Sequence, residues 1–152
     1  MKRQITVVRD IREIEKPLMQ AQCGVLCIHL DNEKLMQIAC NFIYLDKNIY
    51  LYLDSTDEDY ERVKYGSLGT FSIFKSEKIN TIAQDFTYRL SYTTINGEIK
   101  EIDDNKLRDQ IFELYRLKYS RSIEPAGYEV SENLKPVILD TKEIKSLIEE
   151  GM

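Results

Sequence analysis

The stretch from Phe86 to Ile102 constrains the fold most. It is long, rich in β-formers and free of proline. Its apolar residues run Phe86, Tyr88, Leu90, Tyr92 with a period of two, then change phase to Ile95 and Ile99. A phase change inside one strand reads as a bulge or sharp bend, as at a barrel corner. Asn96-Gly97 offers a second reading, two strands meeting in a hairpin. One bent strand is preferred, because the flanks are not matched partners.

The remaining segments supply its neighbours. Ile11, Ile14 and Leu18 recur at helical spacing within Arg9 to Gln22, where Pro17 is expected to split or end the first turns. Cys23 to Leu30 reads as a buried strand, closed by a turn at Asp31-Asn32. Met36, Ile38, Cys40, Phe42 and Tyr44 alternate as one strand. Asp46-Lys47-Asn48 then turns the chain into Ile49 to Leu53, and the three runs look like a meander.

Ser55 and Thr56 ahead of Asp57, Glu58 and Asp59 read as a helix start, continuing to about Tyr65 and stopped by Gly66. Thr70 to Phe74 reads as a strand and Lys78 to Asp85 as a loop. Asp103 is expected to cap a helix faced by Leu107, Ile111, Leu114 and Lys118. Arg121 to Asn133 reads as a loop, Lys135 to Asp140 as a last strand, and Thr141 to Glu150 as a charged tail helix. About six antiparallel strands of mixed phase, joined by short turns, favour a closed barrel over a flat sheet. One domain spans 1–152, with an N-terminal helical segment over 1–22 and the tail helix over 141–152.

Composition narrows function. Hydrophobic residues at 43% and charged residues at 31% are ordinary globular values, which argues against disorder along the chain. The net charge of -5, without a basic block, argues against nucleic acid as the main partner. No apolar run is long enough to cross a bilayer, and charges interrupt any signal-like segment, so no membrane association and a cytoplasmic location are expected. Cys23, Cys27 and Cys40 are expected to be reduced thiols. Together with His29, the only histidine, they suggest zinc, but Cys23 and Cys27 on one strand lie roughly 13 Å apart, too far for one tetrahedral ion. No metal site is expected.

Several runs then match a known pattern in order. Gly24-Val25-Leu26 follows the first helix. Asn48-Ile49-Tyr50-Leu51-Tyr52 has the shape of a gly-lys-ile-tyr-phe-his strand. Glu61, Val63, Phe71, Ser72 and Ile73 fit the helix and strand after it, and Phe86-Thr87-Tyr88-Arg89 with Ile95-Asn96-Gly97-Glu98-Ile99 fits a long strand ending in gly-lys-ala. Over about residues 10 to 140 the sequence resembles the FMN-binding split barrels of the pyridoxamine 5'-phosphate oxidase superfamily, nearest to the small nitroimidazole-resistance proteins.

The resemblance implies a mainly β, six-stranded antiparallel split barrel with flanking helices. It also implies a homodimer with its ligand at the subunit interface, and an oxidoreductase acting on a small molecule. FMN would be held by Ala39, Cys40, Asn41, Tyr52, Leu53, Asp54, Ser55 and Asp59. No catalytic acid or base emerges. The sequence departs from the pattern at key positions. Glu58 and Asp59 stand where the family has a basic pair for the FMN phosphate, Tyr52 stands for its histidine, and Tyr92 for its serine.

Ser55, Thr56, Arg62, Lys64 or a partner's cation remain as other phosphate holders. The acids themselves can equally be a well-capped, solvated helix start. Tyr52 and Tyr92 can wall a flat ring or plug its pocket, and His29 could ligate haem as in some split barrels. Two readings stay open: an FMN-dependent oxidoreductase, and a degenerate split-barrel dimer that no longer binds FMN and serves a binding or structural role.

Overall fold

The computed structural model describes residues 3–79, 87–120 and 132–151. In chain order the elements are β1 (Arg3–Val8), α1 (Ile11–Gln20), β2 (Gly24–His29), β3 (Leu35–Cys40), β4 (Ile43–Leu45) and β5 (Asn48–Asp54). A 3-10 turn (Tyr60–Arg62), β6 (Leu68–Lys78), β7 (Tyr88–Glu101), α2 (Asn105–Tyr119) and β8 (Leu134–Gly151) follow. All strand pairs are antiparallel.

The strand order is β3-β2-β6-β7-β8-β5-β4, with β1 on the far half of β8. Its two ends, β3 and β4, are joined by Asn41 and Phe42 alone. A linker that short spans only about 10 Å. The sheet therefore rolls until its edges nearly meet, without pairing. That is a barrel with a split.

Strand alternation sorts the side chains into two layers. Ile49, Leu51 and Leu53 of β5 face inward with Leu26, Ile28, Phe71, Ile95, Ile99, Val137 and Leu139. Helix α1 closes this core with Ile14 and Leu18. Tyr50, on the other face of β5, packs outward with Ile43, Ile102 and Ile111, where α2 lies against the barrel. The Asp46-Lys47 turn has positive φ at both residues (50° and 68°), the type I′ geometry that joins twisted strands tightly.

β7 is one strand, as expected, and its ladder with β8 is irregular at Asn96/Gly97. Lys142 on β8 is the extra residue there. The phase change has a simple origin: Tyr88, Leu90 and Tyr92 face out of the barrel, and Ile95 and Ile99 face in.

Several expectations are corrected. The run Met36 to Tyr44 is two strands. β3 pairs with β2 and β4 with β5, so there is no meander. Between them Phe42 is fully buried against Phe71, ring centroids 4.7 Å apart, and its backbone bonds to Tyr119 instead of a strand. Helix α1 runs through Pro17, whose ring and whose i−4 neighbour Glu13 are both exposed, so the lost bond costs little. The cap of α2 is Asp104, which accepts from the Lys106 N–H, not Asp103.

The acidic segment forms only the 3-10 turn, because Asp54 and Asp57 bond to nearby backbone and favour turns over helix. The tail is strand β8, held between β7 and β1. Residues Arg3–Val8 are also strand, which brings the count to eight. The loops expected over Lys78 to Asp85 and Arg121 to Asn133 fall mostly outside the described residues, as does Phe86.

Candidate functional site at the split

The residues singled out from the sequence flank the split. Continuing the β4–β5 register past Ile43↔Tyr50 would set Asn41 against Tyr52 and Ala39 against Asp54. β3 peels away to β2 instead. Among the described residues, one edge of β3 and one edge of β5 from Leu51 to Asp54 have no strand partner. Unpaired edges offer rows of backbone N–H and C=O groups.

Ala39 and Asn41 are exposed at this gap, and Cys40 is half-buried, opposite Gly24. Burial, and to a smaller extent nearby Cys23, pushes the Cys40 thiol up to about 12. It is a packed thiol, not a nucleophile. Leu53 is 1% exposed and belongs to the core, so it offers the split its backbone only. Tyr52 lies under α2, where its ring meets Tyr115.

Asp54, Ser55 and Asp59 sit on the turn after β5, and the donors of that turn are in use. Ser55 N–H donates to the Asn133 carbonyl at 2.7 Å. The Thr56 N–H and hydroxyl both donate to the Asp54 carboxylate, at 2.9 and 2.6 Å. Asp59 N–H donates to the Asp57 carboxylate at 2.8 Å, and Asp57 N–H and Tyr60 N–H go to backbone carbonyls. The Thr56 bonds hold the Asp54 carboxyl below the usual carboxylate range. Arg62 lies 3.9 Å from Asp31, and Lys64 is exposed.

This turn does not fit a phosphate. A phosphate would need these N–H and O–H donors, and the chain's own carboxylates and backbone carbonyls already accept from them. The strand edges differ: their backbone N–H and C=O groups have no strand partner among the described residues.

Sequence reasoning missed what α2 does here. The Tyr119 hydroxyl donates to the Gln22 carbonyl at 2.6 Å and accepts from Phe42 N–H at 3.0 Å. Lys118 Nζ donates to the Phe42 carbonyl at 2.9 Å and lies 4.0 Å from the centre of the Phe42 ring. Burial brings Lys118 down to about 8. The signal was present: Lys118 ends the stripe of Leu107, Ile111 and Leu114, where a solvated lysine does not belong. Tyr92, the other proposed ring contact, lies on β7 away from the split and lines a groove beside α1.

No protein-family model matches the sequence, and no curated protein matches it. Solved structures do match in fold. A candidate 5-nitroimidazole antibiotic resistance protein from Bacteroides thetaiotaomicron superposes with a TM-score of 0.76 at 16% identity, over 99% of this chain and 90% of that one. An FAD-binding protein from Mesorhizobium loti gives 0.65 at 15% identity, over 95% and 97%. A candidate pyridoxamine 5'-phosphate oxidase from Corynebacterium glutamicum gives 0.66 at 10% identity, over 95% and 98%.

Proposed function

We propose, from a chain that has the split-barrel fold of the pyridoxamine 5'-phosphate oxidase-like proteins, that it binds FMN and acts as an oxidoreductase on a small molecule. The observation that carries this reading is the pair of open strand edges at the split, β3 to Asn41 and β5 from Leu51 to Asp54. The backbone of those edges would hold the flavin, and the acidic turn would not hold its phosphate. A bound flavin would supply the hydride or electron chemistry. The chain supplies the ring site and a Cys40 thiol that stays protonated. Three free thiols suit the reducing cytoplasm.

The protein acts as a homodimer in this proposal. On the outer face of β6, β7, β8 and β1, Phe74, Tyr92, Leu147 and Val7 form one cross-strand row. Phe74 is 70% exposed, Val7 48%, and Ile5 in the next row 49%. Such a row suits an interface between copies.

A second reading has its own support: a split-barrel dimer without flavin, serving a binding or structural role. The Asp54 carboxylate sits where an anion would be held, and Tyr115 covers Tyr52. The deciding experiment is the absorbance of purified protein after incubation with FMN or with riboflavin, followed by dialysis. Retained bands near ~370 and ~450 nm, with riboflavin held at least as well as FMN, support the flavoprotein with its phosphate outside the turn. A colourless protein in both cases overturns it and leaves the flavin-free barrel.

A further inference from the structure

The inner face of β6, β7 and β8 continues past the core and meets α1 across a half-open groove of about 750 Å³. That volume falls within the range of small-molecule sites. The groove is separate from the residues assigned to the split; of the residues used in the flavin proposal it shares Phe74 and Tyr92, which line its outer edge.

Its floor is polar where the strand pattern calls for apolar residues. Thr93 and Ser146 are neighbours on β7 and β8, 2% and 6% exposed, on the face that carries Ile73, Ile95 and Ile144. Their hydroxyls lie 3.0 Å apart and bond to each other. Each hydroxyl has one proton. One proton is used in the mutual bond; the other has no side-chain acceptor among the described residues. That proton is available to an acceptor in the groove.

The walls are apolar, with Val8, Pro17, Ala21, Ile73 and Ile148. The charges at the mouth largely cancel. Lys75 pairs with Glu77 at 2.6 Å, Arg89 with Glu150 at 3.4 Å, and Lys16 and Glu13 both sit on α1. There is no net field to draw in an ion, and a carboxylate buried on one neutral donor would lose more solvation than it regained. A pure hydrocarbon would leave the spare proton unmatched.

We propose that this groove binds an uncharged, largely apolar small molecule carrying a carbonyl-type acceptor, which takes the spare Thr93/Ser146 hydroxyl proton. The test uses benzophenone, an aromatic ketone that couples to nearby C–H bonds under near-ultraviolet light, with flavin-free protein. Equilibrium dialysis should give saturable one-to-one binding. Peptide mapping after irradiation should place the label on α1 or on the facing stretches of β6, β7 and β8.

Thr93→Val with Ser146→Ala should weaken binding about fivefold or more, since the acceptor loses its donor. Gln20→Trp, at an exposed position on the groove's rim, should abolish binding without touching the core. Circular dichroism checks that each variant folds, and the Gln20 variant decides alone if the double variant does not. Absence of saturable binding, binding that survives both variants, or label confined to other segments overturns the proposal. No readout involves a flavin, so a failure here is distinct from a failure of the flavoprotein reading.

Discussion

Tyr52 and Tyr115 meet edge to face, ring centroids 5.2 Å apart and planes at 88°. The contact ties a residue of the split to the helix that covers it. Tyr115→Ala should uncover Tyr52 and raise flavin retention after dialysis. It should also cost about 1–3 kcal/mol in urea unfolding, for a half-buried ring and its aromatic partner. Unchanged retention of both FMN and riboflavin would remove α2 as the cover of a ring site.

Asp54 controls the turn beside that site. Asp54→Asn keeps an acceptor for Thr56 and removes the charge. It should improve FMN relative to riboflavin by roughly tenfold, the scale of one like charge removed near a phosphate. Because Thr56 holds the carboxyl below its ordinary range, the charge persists in mild acid. The stability it contributes is present above the unfolded carboxylate pKa and is lost only as pH falls through the lowered folded value. An FMN-to-riboflavin ratio equal in wild type and variant, measured by fluorescence titration, would sink this account.

Phe74 tests the dimer. It stands 70% exposed beside Tyr92, so Phe74→Glu should leave the fold intact and place a charge in the proposed interface. Self-association should weaken roughly thirtyfold or more, as for loss of an interface anchor. Light scattering across a dilution series reads it. A dimer of unchanged affinity rules this face out.

Gly97 sits at the ladder irregularity with no room for a side chain. A Cβ there would lie 2.3 Å from the Asp140 carbonyl oxygen. Gly97→Ala must push β7 and β8 apart and should cost about 1–3 kcal/mol, the usual range for overpacking. A thermal midpoint equal to wild type would show that the ladder yields freely there.

Much of this barrel was legible because strand alternation and turn chemistry are local. Asp46-Lys47 announced its hairpin, and β7 announced its length. What stayed hidden depends on partners distant in sequence. Ile144, Leu147 and Ile148 have helical spacing, and Ser146 breaks the alternation of a strand, so β8 looked like a helix. Only its ladders with β7 and β1 decide the matter. β3 and β4 read as one strand because Phe42 keeps the phase, and the break comes from α2, where the Tyr119 hydroxyl accepts from the Phe42 N–H and Lys118 donates to its carbonyl. At the split, the acids were legible as residues. That Asp54 would take both Thr56 donors depends on side-chain geometry, which no spacing encodes.

Lys118 gives a test with a sign that can be worked out. Burial lowers it from the ordinary 10.5 to about 8. Between those values the unfolded chain holds a proton that the folded chain has released, so this lysine makes stability rise with pH across that window. Cys40 works the other way. Burial first, then Cys23, pushes its thiol from 9.0 to about 12, so the folded chain keeps a proton that the unfolded thiol loses, and stability falls as pH rises above 9.0. Comparing wild type with Lys118→Met at each pH cancels the Cys40 contribution. The stability difference, wild type minus variant, should climb from pH ~7.5 to ~10 in urea unfolding and level off above the unfolded lysine pKa. A difference that is flat across the window would mean that Lys118 is solvated, and that its bond to the Phe42 carbonyl does not persist in solution.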